Sequence, residues 1–282
     1  MIKDYLIRKG FFTINISLIM LALLLIIFLV IEAMPFIQGY AILDFISGLK
    51  WSPDSLEFGI FPMILSSLLI TTISIVLAAP LSVSCGIYLE EIASNNVREV
   101  FKPIIQTLAG IPSVIYGFFG LTVVVPFIRN TFGGTGFSII TASIILAVMI
   151  LPTIITVTQD AIKSVPDYYK KASLALGSTH WQVIKNIILP QASLGIFTAI
   201  ILGIGRAVGE TLAVLMVIGN VSIIPTSLLS PARTLTSNIA LEMGYATGIH
   251  YNALFMTALI LVIIIALLMI ISTLTQYKLR RC

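Results

Sequence analysis

Charged side chains are scarce in this sequence: Asp, Glu, Lys and Arg make up 10% of its 282 residues. Soluble domains carry about 25%. With 58% hydrophobic residues and a mean hydropathy of +1.09, that shortage excludes a soluble globular domain and points to an integral membrane protein. Cysteine is almost absent. Cys85 lies inside an apolar run and Cys282 is the last residue; two are too few for a disulfide framework, and they read as a core residue and a tail residue. The two histidines, His180 and His250, are far apart, and neither HExxH nor CxxC occurs. A metal site therefore has no support. The phosphate-cradling GxxxxGK[ST] is also missing, so any ATP the process uses must be bound by another chain.

Long apolar runs are what the chain has instead. Six stretches, roughly 11–31, 60–88, 103–128, 137–158, 192–218 and 252–275, are long enough to cross a bilayer as helices. The second, third and fifth contain Pro or Gly, which predicts tilts or kinks. The first would span about 32 Å as a helix. That is longer than the apolar core of a cleaved signal, so an uncleaved first span is expected. With the N-terminus inside, Lys3, Arg8, Lys9, Arg98, Lys102, Lys163, Lys170, Lys171, Lys185, Lys278, Arg280 and Arg281 fall on the inner side. Only Lys50, Arg129 and Arg233 fall outside, and Arg206 lies within the membrane. The positive-inside rule then makes both termini cytoplasmic. Topology accounts for the net charge of +4 without a nucleic-acid partner. The outer segments 32–59 and 219–251 carry Trp51, Pro53, Pro225 and Pro231; they are either plain connections or a platform for an external partner. No internal repeat or low-complexity segment is visible.

The polar island 159–190, QDAIKSVPDYYKKASLALGSTHWQVIKNIILP, sits between two apolar runs on the inner side. Gly177 divides it into two helical halves and suits the positive-φ stop of the first. Each half has a start signal. Ser164-Val165-Pro166-Asp167 fits a capping box with Pro166 in the first turn, and Thr179-His180-Trp181-Gln182 fits another. A folded helix–Gly–helix element between two spans is expected to be a docking surface; an ordinary amphipathic loop helix is the alternative.

The fifth run carries Arg206 and Glu210, four residues apart and so on one face of an unbroken helix. A charge at mid-bilayer costs about 2.5–3.5 kcal/mol on insertion scales, which predicts that both face a protein interior or a water-filled path. Arg206 lies roughly 21 Å along the helix from the inner end of the run, too deep for easy snorkelling. Arg before Glu is the weaker i,i+4 order, so helix stabilisation is a poor reason for the pair. The functional reading is an anion path. A planar guanidinium fork suits a tetrahedral oxyanion, with Glu210 holding the fork and limiting how tightly the anion is kept. A structural ion pair between helices is the alternative. Gly205 and Gly209 form a GxxxG that predicts close helix packing. In the third run, LAGIPSVIYGFFGL, Pro112 predicts a kink. Ser113 and Tyr116 are the polar groups beside it and are candidates for lining a cavity.

Taken together, these residues resemble the PstC type of permease subunit in bacterial phosphate ABC importers, from about Trp51 to the last span. The resemblance rests on LAGIPSVIYGFFGL, on TASIILAVMILPTI at 141–154, and on GIGRAVGETLAVLMVIGN at 203–220. It also rests on the spacing Ala172…Gly177…Ile187-x-Leu189-Pro190, similar to the cytoplasmic EAA loop on which the ATPase pushes. Sister permeases of the PstA type usually continue the GET with Ala-Pro; here Leu212-Ala213-Val214 follows. Lys171 stands where the loop usually has Glu, and Ser173 where it usually has its second Ala, which bears on the detail of docking. The resemblance implies an all-α, six-helix type I ABC importer permease (MetI-like) fold. An N-terminal helix and outer loop would occupy 1–58, and the permease domain 59–282. It further implies a PstA-like partner permease, two PstB-like ATPase subunits that use ATP and Mg, an external PstS-like phosphate-binding protein, phosphate as substrate, and surrounding membrane lipid. Ala172, Ser173, Gly177, Ile187, Leu189 and Pro190 would form the coupling loop, and Arg206 and Glu210 would serve phosphate translocation. The chain would be a transport subunit and not an enzyme, in a bacterial or archaeal inner membrane.

Three rivals stay open at this point. The same machine could carry sulfate, molybdate or a phosphonate, since an Arg in a path does not distinguish these anions. A stand-alone secondary carrier or channel needs no ATPase dock, so the folded loop argues against it. An intramembrane enzyme would use Glu210 as acid or base, yet no nucleophile–base pair or metal set accompanies it.

Overall fold

A computed structural model describes the backbone of residues 2–279 and the side chains of 9–276. The expectations for Arg280, Arg281 and Cys282, and for the side chains of Lys3, Arg8 and Lys278, lie outside the described residues. In chain order the elements are α1 (Ile2–Gly39), α2 (Ile42–Ser47), β1 (Trp51–Ser52), β2 (Glu57–Phe58), α3 (Phe61–Ile87), α4 (Asn95–Gly110), α5 (Ser113–Phe119), α6 (Val125–Phe132), α7 (Ile139–Lys163), α8 (Asp167–Ala175), α9 (His180–Val183), α10 (Leu189–Gly209), α11 (Leu212–Val217), α12 (Leu235–Glu242) and α13 (Ile249–Leu279). Single π-helical turns extend α3 (Tyr88–Ile92), join α5 to α6 (Gly120–Val124) and join α9 to α10 (Ile184–Ile188).

Among the described residues six helical stretches are long and apolar enough to cross a membrane: Lys9–Gly39, Phe61–Ile92, Ser113–Phe132, Ile139–Lys163, His180–Gly209 and Ile249–Gln276. All six expected spans are present; the first runs on to Gly39, and two others differ more in where they begin or end. The third begins at Ser113 rather than near 103, because Pro112 breaks the helix instead of kinking it. Proline cannot donate to the preceding turn and pushes the residue before it out of the helical region. Ile111 is accordingly extended (φ −66°, ψ 128°), and α4 ends at Gly110. The fifth starts early, at His180, and stops at Gly209 rather than 218.

The described chain forms two compact units. One takes the residues up to Phe61 together with Ile239–Ile263. Its core is aromatic. Phe36, Phe45 and Phe58 are fully buried and Trp51 nearly so, with ring centroids 4.9 Å apart for Phe36–Phe45 and 5.4 Å for Trp51–Phe58. The β1–β2 hairpin pairs Trp51 with Phe58, and directly opposed residues project to the same face. The segment 32–59 is therefore packed structure and not slack connection.

The other unit takes Pro62–Asn238 and the residues from Ile264 onward. Its axis is α7, which is apolar on nearly every side, the pattern of a helix enclosed by others. Ile145, Leu146, Met149, Ile150 and Ile154 of α7 share a core with Ile70 of α3, Tyr116 of α5, Ala199 and Ala207 of α10, and Val214 and Val217 of α11. The expected GxxxG divides into two roles. A Cβ on Gly205 would lie 2.5 Å from Met269 Cε of α13, so this glycine permits close helix packing, whereas Gly209 meets nothing within 4 Å and ends its helix.

Candidate functional site

Arg206 lies in the last turn of α10, where a cation is favoured by the helix dipole. The helix then stops. Glu210 is extended (φ −70°, ψ 132°), so the expectation that Arg206 and Glu210 share one helical face is corrected. The reason is local. Gly209 weakens the helix, and the Glu210 side chain turns to the next segment, where Oε1 accepts the Ala213 N–H at 3.1 Å and caps α11. Thr236 holds the break from the other side by donating its hydroxyl to the Glu210 carbonyl at 3.0 Å. Among the described residues Arg206 forms no ion pair. Its NH1 donates to Thr153 Oγ1 of α7 at 3.2 Å, which engages one of five guanidinium N–H groups. A half-buried guanidinium inside a span is thus left with open donors.

Tyr116 is buried on α5, and its ring is within electrostatic reach of Arg206. Its hydroxyl donates to the Leu108 carbonyl at 2.7 Å, across the break at Pro112. Ser113, half-buried at the start of α5, makes no side-chain hydrogen bond among the described residues. Tyr116 lies within electrostatic range of Arg206, and Ser113 makes no hydrogen bond to it among the described residues.

The island 159–190 folds as α8, a turn at Gly177, α9 and the π turn that leads into α10. Gly177 has φ +87° with open space around its Cβ position, so its role is conformational. Thr179 and Gln182 form the expected capping box: Thr179 Oγ1 accepts the Gln182 N–H at 3.3 Å, and Gln182 Oε1 accepts the Thr179 N–H at 2.8 Å. The other expected box, at Ser164, is absent. Ser164 is still helical (φ −68°, ψ −15°) as the end of α7 and donates to the Ala161 carbonyl, and α8 starts from Pro166 with no side-chain cap. Ser173, one of the unusual loop positions, donates its hydroxyl to Ser178 Oγ at 3.0 Å across the Gly177 turn. Lys171 and Ala172 are exposed. Pro190 sits in the first turn of α10; its missing N–H fits the π turn that precedes it. Ile187 and Leu189 are half-buried there, and Leu189 packs on the core of Ile162, Val165, Val183, Ile184 and Ile188.

Sequence reasoning missed two features of this element. Tyr168, Leu174, Leu176 and Trp181 form an exposed apolar set, with Leu176 88% exposed. Solvated loops rarely leave so many large apolar groups together. The acidic pair Glu90–Glu91, at the π-helical end of α3, was also missed. Glu91 Oε1 meets Lys170 Nζ of α8 at 2.5 Å, and its backbone carbonyl lies 2.9 Å from His180 Nε2. Glu90 lies between Lys163 at 3.4 Å and Arg98 at 3.7 Å. Two adjacent carboxylates in so uncharged a chain, at the same membrane side as those lysines, were the available signal.

Residues 78–281 match the family described as the binding-protein-dependent transport system inner membrane component. The chain belongs to this family of ABC importer permeases. Within it the PstC type is the grouping its relatives support. The chain is 42% identical over 232 residues to the probable ABC transporter permease protein YqgH of Bacillus subtilis, covering 80% of this chain and 75% of that one. It is 34% identical over 259 residues to the phosphate transport system permease protein PstC of Mesorhizobium japonicum, covering 84% and 78%. In fold it resembles the inward-facing MetNI methionine ABC transporter (TM-score 0.64, 20% identity, 82% of this chain and 99% of that one). A bacterial ABC transporter that imports alginate is similar at TM-score 0.63 and 16% identity, with 96% and 99% covered. The chain is a multi-pass membrane permease subunit with the MetI-like fold, and such permeases act within importers that include ATPase subunits and an external binding protein.

Proposed function

We propose that this chain, with a second, PstA-like permease, forms the path by which an ATP-driven importer takes up inorganic phosphate. The observation that carries this reading is the half-buried Arg206 guanidinium, inside a span, which among the described residues is held by Thr153 and has no carboxylate partner. An unpaired cation in a membrane is costly, and a passing oxyanion that takes the free arms of the fork removes that cost transiently. Similarity to PstC permeases favours phosphate among the oxyanions.

The external PstS-like protein delivers phosphate to the outer mouth. Two PstB-like ATPases close on ATP and push the 159–190 element, whose exposed Tyr168, Leu176 and Trp181 form the docking face. Glu91 and Lys170 pass that movement to α3. Access to Arg206 then switches from outside to inside, which is alternating access and not a permanent pore. Glu210 shapes this site as the cap of the helix break.

The test is radiolabelled phosphate uptake in cells stripped of their own phosphate importers, expressing this chain with its partner subunits. ATP-dependent uptake that is lost in a membrane-inserted, assembled Arg206→Gln variant is expected. Wild-type uptake by that variant would remove Arg206 from the path. Uptake of sulfate, molybdate or a phosphonate in place of phosphate would reassign the substrate.

A further inference from the structure

A second cationic site lies between α4 and α7. The cavity there measures about 390 Å³ and is lined by Arg98, Lys102, Gln106, Gln159, Asp160 and Lys163 among others. Three cations face one carboxylate. Arg98 and Lys163 also lean on Glu90, whereas Lys102, Gln106 and Gln159 have no side-chain partner among the described residues. The two walls are firmly joined, since Ile105 of α4 is buried against Ile155 of α7 and Leu89.

Both walls lead to Arg206. On α7, Thr153, Thr156, Asp160 and Lys163 recur at the three- and four-residue spacing of one helical face. Thr153 is the hydrogen-bond partner of Arg206, and Lys163 lies about 15 Å further along the helix. On α4, Arg98, Lys102 and Gln106 recur every four residues. That helix runs to Leu108, whose carbonyl takes the hydroxyl of Tyr116, the ring within reach of Arg206.

We propose that this cavity is a second oxyanion site, on the cytosolic side of Arg206, which accepts the transported anion as it leaves that arginine. This inference rests on the transport reading given above. Lysine suits an exit station because its ammonium is a compact, hydrated charge without the rigid fork of Arg. Asp160 keeps the site from retaining the anion. The same chemistry would also take the phosphate of a lipid headgroup, so the test separates the two sources.

The complete complex, with its binding protein, is reconstituted in phosphatidylcholine vesicles, and ATP-driven uptake of labelled phosphate is measured for the wild type, Lys102→Gln and Lys102→Arg. Lys102 is exposed, so these changes leave the fold intact. Lys102→Gln is expected to lower maximal uptake about tenfold, the worth of one hydrogen bond to a charged group. The external phosphate concentration for half-maximal uptake, set upstream, stays unchanged. ATP consumed per phosphate rises, and Lys102→Arg, which keeps the charge but adds the rigid fork, recovers uptake only in part. Wild-type uptake by Lys102→Gln overturns the site. A deficit that appears only when phosphatidylglycerol is added assigns the cavity to lipid and overturns the exit role. A wild-type complex that moves no oxyanion at all, phosphate, sulfate or molybdate, fails the transport reading itself and takes this inference with it.

Discussion

Glu91 and Lys170 form an ion pair, at 2.5 Å, that joins the π-helical end of α3 to α8. Their side chains are only 6% and 20% exposed, so salt screens the pair little. The π turn places both Glu90 and Glu91 where regular helix would have carried one of them away, and His180 secures the same turn from α9 at the Glu91 carbonyl. Three elements thus meet at Glu91. Under the proposed coupling role, a push on α8 or α9 would pass through Glu91 into a membrane span.

Glu91→Gln is therefore expected to loosen transmission more than assembly. Removing one partner of a buried pair leaves the other charge uncompensated, an effect of about 3–5 kcal/mol when burial is complete, and less here, where Asp167 lies 3.9 Å from Lys170. Phosphate uptake should fall severalfold while the complex still hydrolyses ATP, so ATP used per phosphate increases. The exchange Glu91→Lys with Lys170→Glu should recover much of the loss. An unchanged ratio of ATP to phosphate in Glu91→Gln would remove the strut role.

Thr153→Val keeps the shape of the side chain and deletes the oxygen that accepts from Arg206. The guanidinium then loses its only observed anchor among the described residues. Uptake is expected to drop about threefold to tenfold, the range of one modest hydrogen bond, with normal amounts of assembled complex. Arg206→Lys should not replace arginine, because an ammonium cannot span Thr153 and an anion as a planar fork does. Uptake by Arg206→Lys equal to wild type would show that charge alone suffices.

The spans were legible because apolar length is a direct physical requirement of the bilayer. The capping box at Thr179 was legible because both partners lie within one turn. The one at Ser164 is absent because that residue closes α7 as its C-cap, a boundary set beside the buried Ala161, Ile162 and Val165 and not by local sequence. Arg206 was found from its improbability in an apolar run, but its partner was not. Spacing alone favoured Glu210, and the break after Gly209, together with Thr153 more than fifty residues earlier, is visible only in three dimensions. The cavity of Arg98, Lys102 and Lys163 was hidden for the same reason: its walls come from two helices separated by Pro112 and two further elements.

Gly177→Ala tests the turn in the proposed coupling element. The backbone there has φ +87°, and nothing lies within 4 Å of the Cβ position. Any effect is therefore conformational and not steric. Forcing a non-glycine residue into that region costs about 1–2 kcal/mol, enough to favour other arrangements of α8 relative to α9. Uptake should fall and protease cleavage between Leu176 and Thr179 should speed up, while Gly177→Asn, which tolerates such φ values better, should be milder. Cleavage no faster than in the wild type would mean that packing, and not Gly177, fixes the turn.

In the other unit Glu242 links Trp51 and His250. Its Oε2 accepts the Trp51 indole N–H at 2.8 Å and lies 2.8 Å from His250 Nε2. Trp51 in turn packs its ring on Phe58, and Phe58 stacks on the His250 ring, so one carboxylate orients much of the aromatic core. Glu242→Leu fills a similar space but leaves buried donors unpaired, at about 1–3 kcal/mol each. The expected outcome is a lower unfolding temperature and a red-shifted Trp51 emission, read in a Trp181→Phe background because the chain has 2 tryptophans. Glu242→Gln, which keeps an acceptor for Trp51, should fall between leucine and the wild type. Emission and melting that stay at wild-type values in Glu242→Leu would show that the aromatic rings hold this unit without the carboxylate.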